Sequence, residues 1–437
     1  AEVIPQDMVF SMLLPLVGQV ELSDSTLFLG LVGVCTFVVF FLADPFNVIE
    51  KVDLRLVRLY RPPEKCAVKG KSYVCIVNPY SGSKDGLFQF HRVAAPMLKR
   101  AGAHKVELVA TKHGDHIMEI GRQAAKDVLS GNTADIPDGG YLVFGGDGSL
   151  NEFLNGVVGQ VSNGSFDLDD PKVRDVLAKI PVGHIPTGTA NGIAASYGAK
   201  TTYQALEKII QGNSRQENIL PLDVNQIRFL EESTQEEKQF IDVHCISWGI
   251  ISDHDDLIER KWRSLGKQLK LIAAPLYVIS RRKTYHGKIS FEPVAVSASE
   301  QKTLTEQYGY SDAKQLPKDP SRKNHVIISG EFILVTVTNL SWAAFDICLA
   351  PDIGFDDGAL ALVVVRGDVS RYQLIRAFLA MGTGSAAKFP FVELYKVKRV
   401  SILADDIGSM TASGANIEDT KTVHVDPRPR ICRFLRK

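Results

Sequence analysis

Between residues 68 and 220, short apolar runs alternate with apolar positions at helical spacing. Tyr73–Val77 is a run closed by Asn78-Pro79-Tyr80-Ser81-Gly82, after which Leu87, Phe90, Ala94, Met97 and Ala101 share one helical face. Lys105–Val109 alternates as a strand, and Ile117, Ile120, Ala124 and Val128 mark a helix stopped by Gly131. Tyr141–Phe144 and Val182–Ile185 predict two further strands, each running into a glycine-containing loop. Strands alternating with helices predict an α/β domain with a parallel sheet, spanning residues 68–220. In such a sheet the strand C-termini share one edge, so loops that leave them converge.

The pattern changes beyond Leu220–Asp223. Glu331–Asn339, Ala359–Val365, Val397–Leu403 and Thr422–Val425 alternate with period two, interrupted by one helical stretch, Ser370–Met381. Residues 221–437 therefore read as a β-rich, sandwich-like domain. Residues 297–325 are polar and turn-rich, and are expected to form a mobile surface insertion.

Residues 1–67 form an N-terminal extension of different character. Thr26–Ala43 runs eighteen residues without a charge, near the lower limit for spanning a hydrocarbon core of roughly 30 Å. Glu2, Asp7, Glu21 and Asp24 precede it, whereas Lys51, Arg55, Arg58 and Arg61 follow. That asymmetry predicts a membrane anchor with the later domains on the cytoplasmic side, the alternative being a buried core helix in a cytosolic protein. A removed signal peptide fits less well, because the residues before the run are acidic.

Charge narrows the function classes. The 50 basic and 50 acidic side chains cancel, so there is no global field to attract nucleic acid, and no nucleic-acid partner is expected. Six scattered cysteines form no Cys-x-x-Cys pair and no zinc spacing, in keeping with reduced thiols in cores. Lys267, Lys270, Arg281, Arg282 and Lys283 form a basic region that suits an anionic membrane surface or, equally, a solvated helix face.

The chemistry concentrates in the loops. Gly145-Gly146-Asp147-Gly148-Ser149 lets the backbone approach a ligand and aim amide donors at phosphate oxygens, with a helix N-terminus adding positive potential. An acidic residue in that setting suits acceptance of a proton from an attacking hydroxyl, or else a plain Asp-Gly turn. Pro186-Thr187-Gly188-Thr189-Ala190-Asn191 and Asn78-Pro79-Tyr80-Ser81-Gly82-Ser83 end two neighbouring strands, and three such loops favour one nucleotide site. Neither a Walker A loop nor the protein-kinase motif set occurs.

These loops, with Asn151-Glu152-x-x-Asn155-Gly156 following the second, resemble the diacylglycerol kinase catalytic domain, a superfamily that includes ceramide and sphingosine kinases. The resemblance covers roughly residues 70–437 and implies a two-domain lipid kinase using ATP and Mg2+. It implies Asp147 as catalytic base and Asn78, Pro79, Tyr80, Thr111, Gly145, Gly146, Gly148, Gly188, Thr189 and Ala190 at the nucleotide. Ser247–Asp255, Arg263-Ser264-Leu265-Gly266, Thr284–Gly287 and Phe378–Met381 are similar to the sphingosine kinase branch. That match implies Arg263 on ATP phosphate and Asp255 on the substrate amine, where a carboxylate in a partly dry pocket favours an ammonium group. The metal ligands are not assigned.

Four positions depart from the resemblance. One extra residue separates Asp255 from Arg263, which makes Asp256 a rival for the amine. Tyr80 stands where an arginine is frequent, and Ala190 replaces a common glycine. The family's Asp-Gly-Glu appears as Ser413-Gly414-Ala415, which implies weakened magnesium or ATP binding, a shift of role to Glu418 or Asp419, or a pseudokinase. The reading is ATP-dependent phosphorylation of the primary hydroxyl of sphingosine or a related long-chain base. The alternatives are a ceramide or diacylglycerol kinase, or a catalytically weak lipid-binding pseudokinase. Oligomeric state is not predicted.

Overall fold

The computed structural model describes residues 54–436 apart from 133–134, 213–216, 263–266 and 406–409. The anchor expected at 26–43 and the phosphate contact expected of Arg263 lie outside the described residues. No helix among the described residues is long and apolar enough to cross a membrane.

The first domain is built on four parallel strands, β1 (Ser72–Val77), β2 (Lys105–Ala110), β3 (Gly140–Gly145) and β4 (Val182–Pro186). They lie in the order β2-β1-β3-β4, and every neighbouring pair is parallel. Strands β3 and β4 are buried at every position, the continuous apolar signature of a sheet covered on both faces. The covering helices pack tightly. A Cβ on Gly121, in the helix His116–Leu129, would lie 2.2 Å from the Phe153 carbonyl oxygen of the helix Asp147–Val161. A Cβ on Gly156 would lie equally close to the Met118 carbonyl oxygen, so glycine on each helix permits backbone contact.

The second domain opens with the antiparallel pair β5 (Ile219–Glu231) and β6 (Glu236–Asp242). It continues with β7 (Cys245–Gly249), β8 (Tyr285–Pro293), β9 (Val326–Thr338), a ribbon of β10 (Trp342–Ala344) and β11 (Ile347–Cys348), and β12 (Leu360–Arg366). The chain closes with β13 (Val392–Ala404), the hairpin β14 (Met410–Ala412) and β15 (Ala415–Ile417), and β16 (Thr422–Leu435). The long strands β9 and β13 each serve two layers: one part of each pairs β12, and another pairs β8. A core containing Trp248, Phe291, Val335, Leu362 and Val423 fills the space between them.

Two features exceed the period-two reading. The strand expected at Thr422–Val425 runs on to Leu435, through Pro427 and Pro429. Its end returns to the first domain, where Phe434 pairs Val182 of β4 and Cys432, Phe434 and Leu435 join the α/β core. The segment 297–325, expected to be a mobile insertion, is anchored instead. Ser297 and Glu300 form a reciprocal capping box on the helix Ala298–Thr303, and Tyr310 is fully buried. The Ser311 amide donates to the Leu394 carbonyl at 2.7 Å, so the polar composition reflects caps and turns on a docked segment.

Candidate functional site

The three loops predicted at strand ends do meet. A Cβ on Gly188 would lie 2.2 Å from Gly146 Cα, and one on Gly82 would lie 2.4 Å from the Thr187 carbonyl oxygen. Side chains at these positions would push the loops apart, and the φ of +52° at Gly82 adds a second demand for glycine. Asn191, in the left-handed region with φ of +56°, pins its own loop. Its Oδ1 accepts from the Gly188 amide and its Nδ2 donates to the Gly188 carbonyl, both at 2.9 Å. Asn78 folds the first loop by accepting from the Tyr80 amide at 3.0 Å, an Asx turn that leaves the Tyr80 ring exposed. Pro79 follows in that turn and is partly buried. Thr111 is buried beside β1, its amide donating to the Val77 carbonyl at 2.9 Å. Thr189 is exposed at the loop tip, and Ala190 is half-buried.

Asp147 sits at the centre, 5% exposed. It opens the helix Asp147–Val161, yet its carboxylate serves another one. Oδ2 accepts from the Gly192 amide and Oδ1 from the Ile193 amide, both at 2.9 Å, at the start of the helix Gly192–Ser196. The carboxylate thus clamps the β3 loop to the β4 loop while each oxygen keeps a further lone pair. Gly145 and Gly148 flank it: a Cβ on Gly145 would meet Ser149 Oγ at 2.4 Å, and one on Gly148 would face the Ser413 carbonyl oxygen at 3.7 Å.

Two buried histidines that were not singled out in the sequence lie beside this clamp. His184 Nδ1 lies 3.8 Å from Asp147 Oδ1 without a hydrogen-bond partner among the described residues, while its Nε2 meets the Gly145 carbonyl at 3.0 Å. Burial holds His184 below its ordinary range, although Asp147 opposes the shift. His244, from the second domain, binds the Trp342 carbonyl through Nε2 at 2.7 Å and packs on Gly192. Burial opposes its charged form, but the neighbouring Cys245 sulfur and Asp147 carboxylate outweigh that and raise it. The two imidazoles are therefore pushed in opposite directions near one carboxylate.

The asparagines of the second motif make the domain joint. Asn155 accepts from the Ile241 amide at 2.9 Å and donates to the Ile241 carbonyl at 2.7 Å, reproducing a strand-like pair with β6. Asn151 accepts from the Val243 amide at 2.9 Å and donates to both Asp242 and Ser413 Oγ. Ser413 in turn donates to Asp242 Oδ2 at 2.6 Å. Burial pushes the Asp242 carboxyl up to about 6, while the Ser413 bond favours ionisation. The Ser413-Gly414 turn joins β14 to β15 and comes up against Gly148. Position 413 therefore stands at the glycine loop, but with a hydroxyl. Glu418 pairs with Arg260, and Asp419 accepts from the Ser233 amide at the β5–β6 turn, so neither reaches the loop. Glu152, on the glycine-loop helix, is largely buried, which with Asp115 nearby pushes it up to about 7.

Asp255 lies in the helix Ile250–Asp256, which leads off β7. Its side chain is 25% exposed, 3.4 Å from His254 Nδ1 and 3.4 Å from Thr411 Oγ1 of β14. Asp256, the sequence rival, is held by Arg260 at 3.0 Å. In the basic region Arg282 donates to the Val369 and Gly367 carbonyls, a structural task, and Lys283 stacks on Tyr285.

Comparison with known proteins agrees with this geometry. The profile of the diacylglycerol kinase catalytic domain matches residues 72–222, and that of the YegS C-terminal NAD kinase β-sandwich-like domain matches residues 294–434. Residues 72–222 thus carry a diacylglycerol kinase catalytic domain, and the chain is similar to lipid kinases over most of its length. Sphingosine kinase 1 of Arabidopsis thaliana is 26% identical over 80% of this chain and 66% of its own length. Sphingosine kinase 1 of Rattus norvegicus is 25% identical over 74% and 78%. Ceramide kinase of Homo sapiens is 25% identical over 77% and 62%. The chain thus matches about two thirds of the Arabidopsis relative and somewhat less of the ceramide kinase. A Bacillus anthracis structure provisionally assigned to the diacylglycerol kinases shares the fold, with a TM-score of 0.54 and 16% identity over 86% of this chain and 98% of its own.

Proposed function

We propose that this lipid kinase transfers the γ-phosphoryl group of ATP to the primary hydroxyl of sphingosine or a related long-chain base. The observation that carries the reading is the convergence of the three glycine loops on Asp147, with Asp255 in the second domain beside Thr411 of β14. In this scheme loop amides hold the nucleotide phosphates, and a free lone pair of Asp147 takes the hydroxyl proton. The amides that open the helix Gly192–Ser196 keep that carboxylate fixed, so little reorganisation accompanies transfer. Arg263 would contact the phosphates. Asp255 would receive the substrate ammonium, since it is partly dry, its two polar neighbours stand only at 3.4 Å, and no lysine or arginine pairs with it among the described residues.

Magnesium would normally accompany the nucleotide. Among the described residues no group of three or more histidine, cysteine or acidic side chains could hold a metal ion. Asp242 is consumed by three donors, and Ser413 and Ala415 supply no carboxylate. Among the described residues the side chains form no dedicated cation cage.

Radiolabelled ATP offered with sphingosine, ceramide and diacylglycerol tests the proposal, and sphingosine is expected to be the best acceptor. A ceramide kinase is the second reading, favoured by ceramide kinases at 24–25% identity. Ceramide as the preferred acceptor would establish it, and no acceptor at all would favour a lipid-binding pseudokinase. We further propose that residues 26–43 anchor the chain with both domains on the cytoplasmic side. Full-length protein should then resist alkaline carbonate extraction, and recovery in the soluble fraction would refute the anchor.

A further inference from the structure

On the second domain, away from the glycine loops, three adjacent strands build a basic cavity of about 520 Å³. Ser401 of β13 stands opposite His424 of β16, which stands opposite Arg228 of β5. Two residues further along β13 and β16, and thus on the same face, lie Arg399 and Asp426. Arg322 arrives from the docked 297–325 segment and donates to Ser401 Oγ.

The hydrogen-bond roles can be read in order. A guanidinium only donates, so Ser401 Oγ accepts from Arg322 and turns its own hydrogen elsewhere. His424 Nδ1 lies 2.8 Å from that oxygen. Burial, with Arg322 and Arg228 beside it, holds His424 below its ordinary range.

The acids do not cancel this set. Asp426 is shared between Arg228 at 2.6 Å and Arg399 at 3.6 Å. Glu237 also lines the cavity. Arg322 forms no ion pair within 4 Å among the described residues, although its charge helps to hold the Asp319 carboxyl low, and it donates to the Ser401 hydroxyl. Three guanidiniums and the His424 ring thus face Asp426 and Glu237 in a concave site whose floor includes the buried Val400. Convergent donors with an excess positive charge suit a compact oxyanion that accepts from several directions at once.

We propose that this cavity binds a phosphate-class oxyanion, either free phosphate or the phosphomonoester headgroup of a lipid, at a site separate from the nucleotide loops. The proposal does not depend on which lipid the kinase phosphorylates.

Calorimetric titration of the full chain with inorganic phosphate, in saturating ADP to fill the nucleotide loops, measures the site directly. Arg322→Gln, at an exposed loop position, should weaken phosphate binding about tenfold, the loss typical of one charge-assisted contact. Arg322→Glu should abolish it. Both variants should retain the wild-type melting transition and ADP affinity. Sedimentation with phosphatidylcholine vesicles, with and without phosphatidic acid, identifies the source of the anion. A phosphatidic acid-dependent gain that Arg322→Glu removes and free phosphate competes away points to a headgroup. Calorimetric binding without any such gain points to free phosphate. Absence of both signals in the wild type, or affinities unchanged within about twofold in both variants, overturns the proposal.

Discussion

Asp147 and Asp255 are the two carboxylates of the candidate site to which roles are proposed, and they are held in opposite ways. Asp147 is almost fully buried and receives one backbone amide on each oxygen at 2.9 Å, with His184 and His244 beside it. Asp255 is a quarter exposed, and its two polar neighbours stand at 3.4 Å. The first is preorganised, as a group that must meet a developing charge in one geometry should be. The second is left with capacity to spare, as suits a group whose partner arrives with the ligand. In the proposed scheme, rigidity belongs to the phosphate end of the site and adaptability to the lipid end.

The comparison breaks most visibly at Asp147. Asp147→Asn should lower turnover by about 10²–10⁴ while nucleotide binding survives. Because an amide NH2 must then face the Gly192 or Ile193 amide, stability should also fall by about 1–3 kcal/mol. Single-turnover rates with nucleotide titrations and denaturant midpoints check the two parts separately, and near-normal turnover would remove Asp147 as the base. At the adaptable end, Asp255→Asn should reduce sphingosine phosphorylation roughly 30-fold, the cost of breaking a desolvated charge pair. A neutral lipid accepted as a side substrate should lose much less. Equal losses for both would mean that Asp255 serves folding or the nucleotide.

Asp242 sharpens the contrast through pH. Its carboxyl is raised by burial to about 6 in the folded chain, against about 4 when unfolded. The native state therefore holds the extra proton between these values, and this residue's contribution to stability declines as pH rises from about 4 to 6. The decline should reach about 3 kcal/mol, seen as a difference in denaturant midpoints between wild type and Asp242→Asn that varies across that window. A pH-independent difference would contradict it. Asn155→Ala should cost about 1–2 kcal/mol in a thermal or chemical melt, since it strands the Ile241 amide and carbonyl at the domain joint. The smallest effect is expected at Asp256→Asn, whose exposed ion pair with Arg260 is worth under about 1 kcal/mol. A large loss of sphingosine phosphorylation there would transfer the amine-binding role from Asp255 to its neighbour.

Local patterns carried the architecture. The apolar runs at Tyr73–Val77, Tyr141–Phe144 and Val182–Ile185 became strands within a residue or two of the expected bounds. The loops after them met because parallel strands end on one edge. The same logic misjudged 297–325, where the capping box Ser297-x-x-Glu300 was readable but the burial of Tyr310 was not. It also stopped β16 short, because two prolines there mask a strand that pairs β5 along most of its length.

What the sequence by itself determined was the alternation of strand and helix, the β-rich second half, and the glycine loops that only small residues could bring together. The tertiary structure decided who the polar groups answer to. Asp147 meets amides 45 and 46 residues away, Asn151 and Asn155 meet β6 more than 80 residues away, and Ser413 reaches Asn151 across 262. Apolar periodicity is a short-range property of backbone geometry and shows in any window of the chain. The partner of a buried carboxylate or amide is set by how the two domains dock, since each buried polar group must find a donor or acceptor wherever packing places one.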